Sequence, residues 1–309
     1  MNDTVTNDPQ AFLDTLRGQA TRHETPCGEG RMIWHLWDKS GGKAPVVVLF
    51  HGGAGSWRHW VRTIPFLADH AYRVLVPDLP GLGESDFPPD GENAEVIAGI
   101  VADGIDQIIG TGTGYDVVGF SFGGTMAACV GALRGKIVRS VTIIGSAGVG
   151  DQGSLGSAVR LEKVRHLEGQ ERRDTHRTNL NRLMIADPAK IDDLAIVIQD
   201  WNTVRSRLKT PAISRGGAII RALDALQSPL NGMWGELDAP ANPKGPERVA
   251  ALKRRKPDAD IRVVPGTGHW AAYESPEIVN PTLLEMLART RPAEAGNADA
   301  HAAGGSVTR

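Results

Sequence analysis

Cysteine is almost missing from this sequence of 309 residues: Cys27 and Cys129 are its only two. Two thiols cannot build a disulfide framework, and without paired spacing they do not make a zinc site. A reducing compartment is expected. An excess of either charge is missing as well, with 34 basic and 36 acidic side chains and a formal net charge of -2. No overall field therefore favours nucleic acid or an anionic membrane. Long apolar runs are missing too, since nowhere do about 18 consecutive apolar residues occur. The opening MNDTVTNDPQ lacks a basic start followed by an apolar stretch. These absences lead us to expect a cytoplasmic protein whose partner is a small-molecule substrate, with no nucleic acid and no membrane. They leave homo-oligomerisation open.

What is present is an apolar fraction of 41%, enough to close a sizeable core. Short runs rich in β-branched residues read as buried strands at 46–50, 74–77 and 115–119, with helix-length patterns between them at 60–69 and 95–109. Strands at 137–144, 230–234 and 261–264 and helices at 245–255 and 276–289 continue the alternation. The expected fold class is α/β, a mostly parallel sheet with helices on both faces. Residues 31–37 read as an extra strand, antiparallel at an edge.

From about residue 147 to 226 the strand rhythm stops and charged helical segments follow at 155–167, 178–185 and 191–208. The domain reading is a core of residues 24–146 and 227–290, a helical lid at 147–226, an N-terminal extension at 1–23 and a disordered tail at 291–309. That tail, rich in Ala and Gly, has too few large apolar groups to offset its ordering entropy. Residues 151–226 carry 13 Lys plus Arg against 10 Asp plus Glu. Solvated helix faces account for so mild an excess, as would attraction of an acidic substrate.

Gly119-Phe120-Ser121-Phe122-Gly123 follows a strand and opens a run of small residues of helical character. G-x-S-x-G is common by chance, but a strand-to-helix junction is where a sharp turn lifts a serine hydroxyl out of a sheet. Such a hydroxyl is a poor nucleophile unless a histidine takes its proton and a carboxylate holds that histidine. Among the nine histidines, His269 follows the last strand and precedes the final helix. His51 also ends a strand, but its glycine-rich continuation suggests backbone donors and a structural role for the ring. His23, His35, His59, His70, His166, His176 and His301 read as exposed or locally satisfied. Asp238 stands in the loop after the penultimate strand, and Glu236, its competitor, is spent in leaving that strand. For an oxyanion, the backbone N–H of Phe122 at a helix start and that of Gly53 are the expected donors, with Ala54 beside them. The glycine-rich 110–114 follows a helix and precedes a strand, the reverse of a dinucleotide fingerprint. No cofactor and no metal are expected.

With its order Ser121, Asp238, His269, the sequence resembles the α/β-hydrolase superfamily over about residues 31–289, a serine-nucleophile member with a cap. The His51-Gly52-Gly53 loop and Asp78-Leu79-Pro80-Gly81-Leu82-Gly83-Glu84-Ser85 carry the similarity further. His269-Trp270-Ala271-Ala272-Tyr273-Glu274, with Asn280, is similar to the C-terminal motif of meta-cleavage-product hydrolases, which implies that Trp270 lines the pocket; Gly52 of the glycine loop is the other expected substrate contact. Those enzymes often carry Asn before the nucleophile and Met or Leu after it, where Phe120 and Phe122 stand here. They also grip a substrate carboxylate with a cap arginine, for which Arg205 and Arg207 are the candidates. The resemblance implies a serine hydrolase of small, largely apolar esters, or a carbon-carbon bond hydrolase, or a ligand sensor on the same scaffold.

Overall fold

In the computed structural model, which describes residues 8–89, 91, 93–149, 159–241 and 245–290, the strand β3 (Val46–Phe50) is buried on both faces. Val46, Val48 and Phe50 join one apolar layer and Val47 and Leu49 the other, as the two-residue period of a strand dictates. Around it lie β1 (Thr21–Cys27), β2 (Gly30–Trp37), β4 (Arg73–Pro77), β5 (Tyr115–Phe120), β6 (Val138–Ile144), β7 (Leu230–Gly235) and β8 (Asp260–Val264). The sheet order is β1-β2-β4-β3-β5-β6-β7-β8; β2 pairs antiparallel with both neighbours and the remaining pairs are parallel.

One face is covered by α3 (Ala94–Ile109) and α4 (Phe122–Arg134), which contribute Ile97, Val101, Ile105, Met126 and Val130. The other receives α1 (Pro9–Gly18) and α2 (Ile64–Asp69) through Leu13, Leu16, Ile64 and Leu67. Between β6 and β7 come α5 (Gly169–Leu183), α6 (Asp193–Arg205), α7 (Thr210–Arg215) and α8 (Ala218–Ala225), and after β7 come α9 (Gly245–Arg255), α10 (Ala271–Glu274) and α11 (Pro276–Ala288). Each fully buried Leu or Ile in these layers stabilises by roughly 1.5–3 kcal/mol before chain entropy is counted.

Two expectations change and a third gains detail. The strand over 31–37 is antiparallel but not an edge, because β1 pairs outside it. The segment read as an extension through residue 23 carries α1 and the start of β1, and Trp37 donates its indole N–H to Leu16 O at 2.8 Å. The helix expected at 155–167 is not formed at 159–167: the Asn179 side chain takes both the N–H and the C=O of Glu162, at 2.8 and 2.9 Å, which a helix would have used itself. Residues 155–158 and the expected tail at 291–309 lie outside the described residues.

Candidate active site

The chain runs from β3 to β4 on one side and then returns to place β5 on the other, so the sheet order reverses between β3 and β5. At the carboxyl ends of parallel strands such a reversal opens a crevice. The His51–Gly55 loop leaves β3 there and Ser121 leaves β5.

Ser121 adopts φ 52° and ψ −114°, a conformation that L-residues disfavour, and its N–H donates to Ile144 O at 2.8 Å. A strained backbone of this kind costs about 1–3 kcal/mol and needs support from its surroundings. Here the support is close approach: a Cβ on Gly119 would run into the Gly123 carbonyl, and one on Gly123 into the carbonyls of Phe50 and His51. Only glycine at both positions lets α4 start so near the sheet.

Asp238 and His269 come to the same rim. The Ser121 Oγ lies 3.0 Å from His269 Nε2, and His269 Nδ1 lies 2.9 Å from Asp238 Oδ2. Asp238 is fully buried, and its other oxygen accepts the Ala241 N–H at 3.0 Å. An ionised carboxylate only accepts, so Nδ1 carries the proton and Nε2 presents its lone pair to the serine hydroxyl. Glu236 does not reach the histidine ring; its carboxylate accepts the Gly266 N–H at 2.8 Å and braces the turn before it.

The glycine loop is built around two neutral imidazoles. His51 Nδ1–H donates to Gly52 O at 2.7 Å while Nε2 accepts the Leu79 N–H at 2.8 Å, and burial lowers its pKa to about 4. His59, read from the sequence as locally satisfied, is buried between Phe120 and Trp270 with ring separations of 5.5 and 4.9 Å. Its Nδ1 accepts the Gly52 N–H at 3.3 Å, and burial, with His51 and His269 nearby, holds its pKa well below the usual value. The signal for it was its place in the single turn directly after the glycines.

Gly52 thus spends its N–H on His59, and its α-carbon faces the Phe120 ring and the Ser121 Cβ. The N–H groups of Gly53 and Phe122 have no hydrogen-bond partner among the described residues. Thr210 of α7, which no sequence pattern picked out, sets its hydroxyl in the space that a side chain on Gly53 would fill. Trp270 is fully enclosed, its ring stacked on Tyr273 at 4.2 Å and its N–H donated to His59 O at 2.9 Å. The two candidate arginines are exposed and engaged with other groups: Arg205 lies over the Trp201 ring at 4.1 Å, and Arg207 donates to Ser85 O. Asn280 bonds Thr63 and Arg62 O. Among the described residues no cluster of His, Cys, Asp and Glu could hold a metal, and no helix is long and apolar enough to cross a membrane.

Known proteins are similar to this chain in sequence and fold. The chain is 29% identical over 274 residues to a 2-hydroxy-6-oxo-6-phenylhexa-2,4-dienoate hydrolase of Burkholderia cepacia, covering 82% of this chain and 91% of that one. It is 27% identical over 273 residues to a 2-hydroxy-6-oxononadienedioate/2-hydroxy-6-oxononatrienedioate hydrolase of Comamonas testosteroni, with the same two coverages. An esterase of a Rhodococcus species superimposes with a TM-score of 0.69 at 17% identity, over 88% of this chain and 99% of that one. The model of the alpha/beta hydrolase family matches residues 47–282, a span that opens in β3, closes in α11 and takes in Ser121, Asp238 and His269; this chain belongs to that family.

Proposed function

We propose that the protein is a serine hydrolase that cleaves a small, largely apolar carboxylic ester through an acyl-enzyme, with Ser121 as nucleophile, His269 as base and Asp238 as its orienting carboxylate. The observation that carries this reading is the pair of contacts at 3.0 and 2.9 Å that join the three groups. His269 Nε2 takes the hydroxyl proton as Oγ attacks the carbonyl carbon, then gives that proton to the leaving alkoxide. A water molecule, deprotonated by the same nitrogen, releases the acid. The N–H groups of Gly53 and Phe122 receive the oxyanion, the second at the positive end of α4, and each is worth roughly 3–4 kcal/mol in the transition state. The insertion at 147–226 serves as a cap on the core formed by 24–146 and 227–290, and α7 meets the glycine loop through Thr210. The exposure of Arg205 and Arg207 and their engagement with Trp201 and Ser85 favour a neutral acyl group over one that brings its own carboxylate.

A second reading, hydrolysis of a carbon-carbon bond in a vinylogous diketone, is favoured by the names of the relatives in Burkholderia cepacia and Comamonas testosteroni and by their 91% coverage. Both readings use the same three side chains. p-Nitrophenyl esters of increasing chain length, run beside a meta-cleavage dienoate with Ser121→Ala as control, separate them. Turnover of short esters that is lost in the control supports the first reading, and turnover of the dienoate alone supports the second. A wild-type protein that a fluorophosphonate does not label at Ser121 refutes both and leaves a ligand sensor.

A further inference from the structure

We propose that Glu274 is a positioning residue for His269, the point at which the insertion holds the histidine loop in register with Ser121. This rests on the reading of His269 as the base. Glu274 is 2% exposed, and its side chain is wholly engaged with backbone. Oε2 accepts the N–H of Gly268 at 2.7 Å and that of Ala186 at 3.1 Å, and Oε1 accepts that of Asp187 at 2.8 Å. One carboxylate therefore joins the residue before His269 to the stretch between α5 and α6. On the far side of the histidine, the Trp270 N–H donates to Met184 O at 2.7 Å, in the same stretch of the insertion. The backbone N–H groups of the two residues that flank His269 are thus both fastened to residues 184–187, directly or through Glu274.

The chemistry of the hub calls for an acid. Charge-assisted acceptance is stronger than neutral acceptance, and two acceptor oxygens serve three donors; glutamine has the same length but only one acceptor. Gly268 must be glycine for the two chains to come this near, since a Cβ there would meet Ala186 N at 2.7 Å and Met184 O at 3.1 Å. Lys190 closes the junction by donating to Glu274 O at 2.9 Å. Displacement of the insertion at this junction would move the His269 backbone with it, and the 3.0 Å contact to Ser121 would open.

The test is a double-mutant cycle on the full chain, read as the rate of fluorophosphonate labelling per titrated site. Glu274→Ala should slow labelling on the order of 10- to 100-fold, the scale set by small misplacements of a reacting group, and Glu274→Gln should slow it less. In the His269→Ala background, Glu274→Ala should add almost nothing, because it acts only through the absent imidazole. A purely structural role predicts the opposite, equal losses in both backgrounds. Equal losses, or wild-type labelling by Glu274→Ala, overturn the assignment alone. If His269→Ala labels at the wild-type rate, the reading of the base fails and the assignment falls with it. Should Glu274→Ala not fold, the same cycle with Glu274→Gln decides by the same criterion.

Discussion

The hydroxyl of Thr210 on α7 stands where a side-chain carbon on Gly53 would have to go, with the Thr210 Cβ 3.2 Å from that position. The insertion and the glycine loop are therefore matched in shape at the site. Gly53→Ala should push the loop away from the oxyanion and lower kcat/KM by about 10- to 100-fold. Thr210→Ala, which removes the colliding oxygen, should restore part of that loss when combined with it, a coupling of about 1–2 kcal/mol. Steady-state kinetics on a p-nitrophenyl ester for the two single variants and the double variant check this. Strictly additive losses would show that the two residues do not share the space.

Ser121, His269 and Asp238 should fail in graded fashion. Ser121→Ala and His269→Ala each remove a group that bonds or carries a proton, so kcat should fall on the order of 10⁶-fold, the scale seen in unrelated serine hydrolases. Asp238→Asn keeps the shape but favours the wrong imidazole tautomer, and on the order of 10⁴-fold is expected. The Asp238 variant should therefore retain more activity than the other two. Three equal, mild losses measured on one ester would contradict the roles assigned.

Two glycine substitutions should move stability in opposite directions. Gly123→Ala drives a carbon into the carbonyls of Phe50 and His51 and should cost about 3 kcal/mol, as overpacking a rigid site does. Gly99 lies within α3, and beyond its chain neighbours and the adjacent helix backbone nothing comes within 4 Å of where its Cβ would be. Gly99→Ala should therefore stabilise by roughly 0.5–1 kcal/mol through the unfolded chain. Urea unfolding midpoints of the two variants against the parent provide the check.

Much of this candidate site was legible in the sequence because Ser121 and Asp238 follow strands buried on both faces, β5 and β7, and His269 follows the half-exposed β8 just before the final helix. A run such as Val46–Phe50 announces itself without tertiary context, and the residues that follow such runs share one rim once the sheet is parallel. β1 was not legible, because it is largely exposed, contains Pro26 and lies at the sheet edge. The insertion blurred the bounds of its helices for a different reason: the segment expected at 178–185 belongs to α5, which begins at Gly169. α5 is almost wholly polar, with Thr175, His176, Asn179 and Leu180 as its buried residues, so no apolar period marks it. His59 and Glu274 were passed over because their partners are remote in sequence. A ring against Phe120 and Trp270, or a carboxylate on Ala186 and Asp187, becomes visible only when the chain has closed.

His35 supplies a prediction about acid. It stands on β2 with 1% exposure, 5.9 Å from the Trp37 ring and 5.6 Å from that of Trp57, and neither ring nitrogen has a partner among the described residues. Burial, then the nearby Arg58, lowers its pKa to about 3. The folded chain therefore keeps this imidazole neutral while the unfolded chain protonates it near pH 6.5, so its contribution to stability is lost as pH falls from about 6.5 towards 3. At pH 5 that loss is about 2 kcal/mol. His35→Phe, which keeps a flat ring between the two tryptophans and removes the titration, should be more stable than the parent, and by about 2 kcal/mol more at pH 5 than at pH 7. His51 and His59, which burial also keeps neutral, remain to lower the acid stability of the variant. The variant should therefore become less acid-sensitive without becoming insensitive, and urea titrations at the two pH values measure the difference. An advantage of equal size at both would mean that the His35 ring takes up its proton equally in the folded and unfolded chain, as a ring that reaches water does.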